Sequence, residues 1–183
     1  MNIRLTEVNG VVVCEAAPRV DARGSFARLF CANELSSQFA DRKIVQVNHS
    51  RTHAVGAVRG MHFQYPPHAE WKQVRCLRGR VWDVALDLRA GSSTLLQWHA
   101  EELSPDNGRA MVIPEGCAHG FQVLEPDSEL LYLHSAYYTP AAEGGVAYDD
   151  PRAAIRWPLA VTDISERDRG HARLTDSFRG FPN

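Results

Sequence analysis

Apolar and polar residues alternate along this chain far more often than they recur at helical spacing. Short strand-like runs are separated by turn signals about 8–12 residues apart, the spacing of a sandwich or barrel. The clearest pair of runs is Trp71–Leu77 and Arg80–Leu88, expected to form a hairpin through Arg78-Gly79. In the second run Trp82, Val84, Leu86 and Leu88 alternate with Val81, Asp83, Ala85 and Asp87. One face is wholly apolar, and the other sets two carboxylates among small residues, as the inside of a barrel holding a polar ligand would. Further strands are expected at Phe26–Phe30, Met61–Tyr65, Leu95–Ala100, Ala110–Ile113, Gly120–Leu124 and Leu130–Ala136. Helical spacing is confined to Asn33–Phe39, with Asn33 as cap and Leu35 and Phe39 on one face. These elements predict an all-β, double-sheet jelly roll with short helical segments. One domain is expected over residues 1–183, with the tail after about Pro158 packed on it.

Composition narrows the function. The 183 residues carry a formal net charge of −2 and 44% apolar residues, ordinary for a packed core. No apolar run approaches the roughly 18 residues of a membrane span. Neither a secretory leader nor a basic stripe is visible, so a cytoplasmic protein without nucleic-acid or membrane partners is expected. Cys14, Cys31, Cys76 and Cys117 are scattered, with no close pair to suggest zinc or a disulfide framework. Of 20 basic residues only Lys43 and Lys72 are lysine, which singles out each as a place for a compact ammonium.

Two clusters carry candidate chemistry. Gly108, Pro114, Gly116 and His119 reproduce the spacing of the second motif of the cupin superfamily, but Gln122 and Val123 stand near its last ligand position. Gly56 and His62 fit the first motif, whose second histidine is here Gln64 and whose glutamate, Glu70, is displaced. Two histidines fall short of the three or more protein ligands a stable transition-metal site takes, so no metal and no other cofactor is expected. A barrel histidine without metal points to acid–base chemistry.

A longer set of blocks is more specific. Asp21-Ala22-Arg23-Gly24, Gln46-Val47-Asn48-His49-Ser50, Arg59-Gly60-Met61-His62-Phe63-Gln64, Lys72 and Asp83 to Arg89 run in register toward Ile113 to Phe121. Tyr132, Tyr137-Tyr138, Asp150-Pro151, Ile155-Arg156-Trp157-Pro158 and Ser165-Glu166-Arg167-Asp168 follow. From about Asp21 to Asp168 the chain resembles the dTDP-4-dehydrorhamnose 3,5-epimerase family. The resemblance implies a nucleotide-diphospho-4-keto-6-deoxyhexose as substrate and inversion beside the keto group, in nucleotide-sugar and surface-polysaccharide synthesis. The 4-keto group acidifies the C3 and C5 hydrogens, so a base, a stabiliser of the enolate oxygen and an acid on the other face suffice.

By resemblance His62 is the base, Tyr132 the acid and Lys72 the cation near the keto oxygen. Asp168 orients His62, as carboxylates do in other histidine dyads, and Asp83 competes for that place. Tyr138 is the second candidate acid. Arg23 and Arg59 are the phosphate ligands, through forked donors that match phosphate oxygens. Arg28, Gln46, Asn48, His119, Tyr138, Glu143 and Arg167 complete the substrate-binding set. Strict alternation sets Arg59 and His62 on opposite faces unless Gly60 allows a bulge. Arg28 stands where thymidine-nucleotide members carry glutamate, which leaves the nucleobase open. The family also implies a strand-exchanged homodimer, to which the apolar face Trp82-Val84-Leu86-Leu88 could contribute. The alternatives are a 3- or 5-monoepimerase on a CDP- or GDP-linked sugar, a metal-dependent cupin oxygenase, and a non-catalytic sugar-nucleotide binder.

Overall fold

In the computed structural model, which describes residues 1–182, two antiparallel sheets pack face to face as a jelly roll. The six-stranded sheet runs β1 (Asn2–Leu5), β2 (Val12–Glu15), β10 (Arg109–Ile113), β7 (Lys72–Arg78), β12 (Ser128–His134) and β5 (Gln46–Thr52). The five-stranded sheet runs β13 (Glu143–Gly145), β6 (Val58–Gln64), β11 (Cys117–Val123), β8 (Val81–Asp87) and β9 (Trp98–Leu103). A separate hairpin pairs β3 (Arg19–Asp21) with β4 (Gly24–Phe26). Two four-residue helices, α1 (Ser36–Phe39) and α2 (Glu166–Arg169), and a 3-10 turn at Pro140–Ala142 complete the regular elements among the described residues.

Alternation sorts each strand's side chains into an inward and an outward set. Val74, Cys76, Met111, Ile113 and Leu130 meet Val81, Ala85, Phe121 and Val123 between the sheets. Leu35, Phe39 and Trp71 cover Val12, Cys14 and Val112 on the outside of the six-stranded sheet. Met61, Phe63, Val84 and Leu86 on the outside of the other sheet are covered by Ile155, Trp157, Leu174, Phe178 and Phe181. Burying one aromatic or aliphatic side chain of this kind contributes about 1.5–3 kcal/mol, so the C-terminal segment is held firmly. The chain's own tail thus covers Val84, Leu86 and Leu88 of the apolar face expected to contribute to a dimer, and leaves Trp82 half-buried.

The expected hairpin of β7 with β8 is not formed. β7 pairs with β10 and β12, whereas β8 pairs with β11 and β9, so Arg78–Arg80 is a corner between sheets. The corner is pinned by the Ser128 hydroxyl, which accepts the Arg80 N–H at 3.1 Å. A local turn signal cannot distinguish such a corner from a hairpin, because partner choice is made by distant strands. Helix α1 is shorter than expected and its N-cap is Leu35, with no side-chain cap from Asn33. The Leu35–Phe39 face is nonetheless the buried one. The strand expected at Phe26–Phe30 is instead β4, which ends at Phe26, and Trp98–Leu103 replaces Leu95–Ala100.

Candidate active site

The strands place one group of polar residues on each inner wall. β6 carries Arg59 and His62 inward together because the β6–β11 register shifts: His119 pairs with His62 and Phe121 with Arg59. Gly60 makes the shift possible. Its φ is +126°, and a Cβ there would lie 2.6 Å from Gly120 Cα and 2.9 Å from the His119 carbonyl oxygen. The opposition between Arg59 and His62 is thereby resolved as the bulge requires.

His62 Nε2 lies 2.8 Å from Asp168 Oδ1, while Asp168 Oδ2 accepts the Gly60 N–H at 3.0 Å. Asp168 reaches this place because Ser165 caps α2, its hydroxyl accepting the Asp168 N–H at 3.1 Å. Burial would raise the Asp168 carboxyl, but His62 and the Gly60 N–H outweigh it and hold it well below the usual carboxylate range. A fixed carboxylate accepts a hydrogen bond from the Nε2–H and leaves Nδ1 as the basic nitrogen of His62. Arg167 Nη2, 3.3 Å from the same Nε2, is the farther neighbour. Arg167 also bonds Glu143 at 3.1 Å, and Glu143 accepts the Tyr138 hydroxyl at 3.0 Å. The expected competitor Asp83 has another partner, His119 Nε2 at 2.7 Å.

The opposite wall comes from the six-stranded sheet. Tyr132 lies on β12 and its hydroxyl is 3.0 Å from the Ser50 hydroxyl on β5. Its ring stacks on His134 at 6.0 Å and meets His119 edge-on at 6.1 Å. Burial pushes the Tyr132 phenol well above its ordinary value, with Ser50 pulling the other way, so the proton stays on at neutral pH. Lys72 Nζ is buried and 2.6 Å from Glu70 Oε1, whose other oxygen lies 2.6 Å from His134 Nδ1. Burial would raise Glu70, but Lys72 and His134 win and hold it at about 2. Asn48 touches His134 at 3.3 Å, and Gln46 accepts the Tyr138 N–H.

A cavity of about 330 Å³ is lined by Arg59, His62, Arg167 and Asp168, with Thr52 of β5 at its edge. A second of about 460 Å³, lined by Asn48, Ser50, Lys72, His119, Tyr132 and His134, lies beside Thr52's neighbours on β5. His62 thus lines the first cavity and Lys72 and Tyr132 the second, with His119 beside both, opposite His62 on β11 and edge-on to Tyr132. Arg23 and Arg28 do not join them. Arg23, on the exposed hairpin, is paired with Asp21, and Arg28 with Glu34. Asp87, the other inward carboxylate of β8, is spent on Arg89, Ser92 and Thr94. Gln64 and Gln122 bond main-chain groups, so the cupin ligand positions they occupy are committed elsewhere. Sequence reasoning passed over Glu70 and His134 as site residues, although His134 alternates onto the face of Tyr132. Ser50 and His171 had no distinguishing signal.

The family model described as dTDP-4-dehydrorhamnose 3,5-epimerase matches residues 5–176. The dTDP-4-dehydrorhamnose 3,5-epimerase of Shigella flexneri is 36% identical over 179 residues, covering 97% of this chain and 98% of that protein. The dTDP-4-dehydrorhamnose 3-epimerase of Streptomyces niveus is 35% identical over 178 residues, 97% of this chain and 86% of its own. The dTDP-6-deoxy-D-glucose-3,5-epimerase of Legionella pneumophila, solved in complex with dTDP-4-keto-L-rhamnose, superposes with a TM-score of 0.91. It is 35% identical, and the match covers 100% of this chain and 98% of that one.

Proposed function

The chain belongs to the dTDP-4-dehydrorhamnose 3,5-epimerase family, and we propose that its facing walls divide the two proton transfers of that reaction between them. It is an isomerase of a dTDP-linked 4-keto-6-deoxyhexose, inverting C3 and C5 to give dTDP-4-dehydro-L-rhamnose. The observation that carries the division is the placement of His62 on the five-stranded sheet and Tyr132 on the six-stranded one. Nδ1 of His62 removes a proton beside the C4 carbonyl, and Asp168 stabilises the imidazolium that results. The enolate oxygen faces Lys72, whose ammonium has three donors and spends one on Glu70. Tyr132 then protonates the carbon from the opposite side. Arg59 and Arg167 border the His62 cavity, and their forked donors bind the substrate's phosphates in this reading.

Tyr132→Phe tests this reading. Exchange of substrate with deuterated water continues with retained configuration, while inverted product falls by on the order of 10²–10⁴, the contribution of a positioned acid. Tyr138→Phe is the control, since its exposed hydroxyl bonds only Glu143 among the described residues. Normal inversion in Tyr132→Phe with loss in Tyr138→Phe would reassign the acid.

The Streptomyces niveus relative keeps a second reading open, inversion at C3 alone. Deuterium at both C3 and C5 selects the double epimerase, and at C3 alone the single one. For the nucleobase, Arg28 is tied to Glu34, so its segment offers a carboxylate beside the guanidinium rather than a bare reversed charge. Arg23 and Arg28 complete the site of a second copy: the hairpin leaves Val20 and Phe26 about three-quarters exposed and stands apart from both sheets. Mixing inactive Arg23→Ala and His62→Ala protomers then restores activity, because one mixed site has both residues.

A further inference from the structure

His171 is absent from the proposed chemistry, yet it packs directly on it. Its ring meets His62 edge-on with centroids 5.5 Å apart, and its Nε2 lies 3.8 Å from Asp168 Oδ1. That Nε2 is buried and has no hydrogen-bond partner among the described residues. The ring fits only because residue 145 is glycine, where a Cβ would lie 2.2 Å from His171 Cε1. A buried nitrogen without a partner is costly, and nothing on the protein side satisfies it.

We propose that His62, Asp168 and His171 form a binding site for a divalent cation of the zinc class. One ligand atom from each lies within 4.8 Å of the others. Around zinc, with bonds of about 2.0–2.2 Å, ligand atoms stand roughly 3.3–3.5 Å apart, so side-chain shifts of about 1 Å close the site. Two imidazoles and a carboxylate are a borderline-soft donor set suited to zinc and cobalt, not to magnesium or calcium. The second oxygen of Asp168 stays on the Gly60 N–H, an outer contact of the kind that orients metal-ligating carboxylates. Arg167 is the opposing charge, 3.3 Å from Asp168 Oδ1. Its side chain is 57% exposed, and the ion would take over its contact with Asp168 as it swings outward. Glu143 adds a second carboxylate nearby.

The consequence, which rests on the role proposed for His62, is inhibition. Coordination through His62 Nε2 moves the ring proton to Nδ1, the nitrogen assigned to substrate. The ion therefore removes the basic lone pair without leaving the cavity wall.

Calorimetry of metal-stripped protein with zinc sulfate should show one bound equivalent, with deuterium exchange blocked and restored by EDTA. Cobalt in its place should give visible d–d bands with no thiolate charge transfer, which separates this site from the four cysteines. His171→Phe keeps a ring over Gly145 and removes the ligand. It should weaken binding by more than the roughly 10–100-fold cost of losing an outer partner. Equal binding by His171→Phe, thiolate bands, or no bound equivalent in the parent would each overturn the site, whatever the enzyme's activity. His171-dependent binding with undiminished exchange would uphold the ion site and instead remove His62 from the role of base.

Discussion

Two histidine–carboxylate pairs stand side by side in this barrel, and each borders a different cavity. His62–Asp168 and His119–Asp83 have nearly equal separations, 2.8 and 2.7 Å, and their histidines face each other across β6 and β11. The His62 side chain is 26% exposed and that of His119 7%. Asp168 arrives from a capped helix late in the chain, with both oxygens bonded. Asp83 comes from the neighbouring strand, and its Oδ2 has no partner among the described residues. The same two side chains therefore stand in different surroundings. His62 is the more open and borders the cavity with Arg59 and Arg167, whereas His119 is more enclosed and borders the one with Lys72 and Tyr132.

The largest expected effect separates the histidines. His62→Ala should lower exchange at both C3 and C5 by on the order of 10²–10⁴ and leave nucleotide binding measurable. His119→Ala should retain far more exchange and unfold at lower temperature, because Asp83 is left buried and unpaired, a loss of about 3–5 kcal/mol. If His119→Ala abolishes exchange in a fully folded protein, the contrast fails. Next come the carboxylates. Asp168→Asn should fold but lose kcat, since an amide no longer selects the productive tautomer. Asp83→Asn should lower stability by about 1–3 kcal/mol, read as a melting shift of several degrees, with a smaller effect on kcat.

Gly60→Ala probes what joins the two pairs. The added methyl meets Gly120 Cα at 2.6 Å in a backbone conformation side chains rarely adopt, so melting temperature and exchange should fall together. Wild-type exchange in a destabilised Gly60→Ala would show that the bulge serves packing alone.

The smallest effect is in pH. Glu70 is held at about 2, below its unfolded value near 4.3. Its contribution to stability is therefore complete above the unfolded value and is lost as pH falls toward 2. Asp168, also depressed, acts with the same sign. Melting temperature should drop across that window, and Glu70→Gln should flatten part of the drop.

Much of this was legible from residues in order. Alternation in Val81–Asp87 put Asp83 inward and Leu86 outward, whereas the helix at Glu166–Arg169 that carries Asp168 was not expected. His62, Lys72, Tyr132 and Asp168 stand out in the sequence as candidates by resemblance, with Asp83 competing for the place of Asp168. The pairing of β7 and β8, the ending of β4 and the covering of the Trp82 face were not legible, because each depends on strands or tail residues far along the chain.

Local periodicity decided which side chains share a face, since that follows from the backbone pleat alone. Which Asp meets which His, that Glu70 joins Lys72 to His134, and that Arg23 lies outside its own chain's site were decided only by tertiary structure. Those contacts are set by the register between distant strands. A register shift of one residue at Gly60 is enough to reverse a face, and no local signal in the strand itself measures its partner.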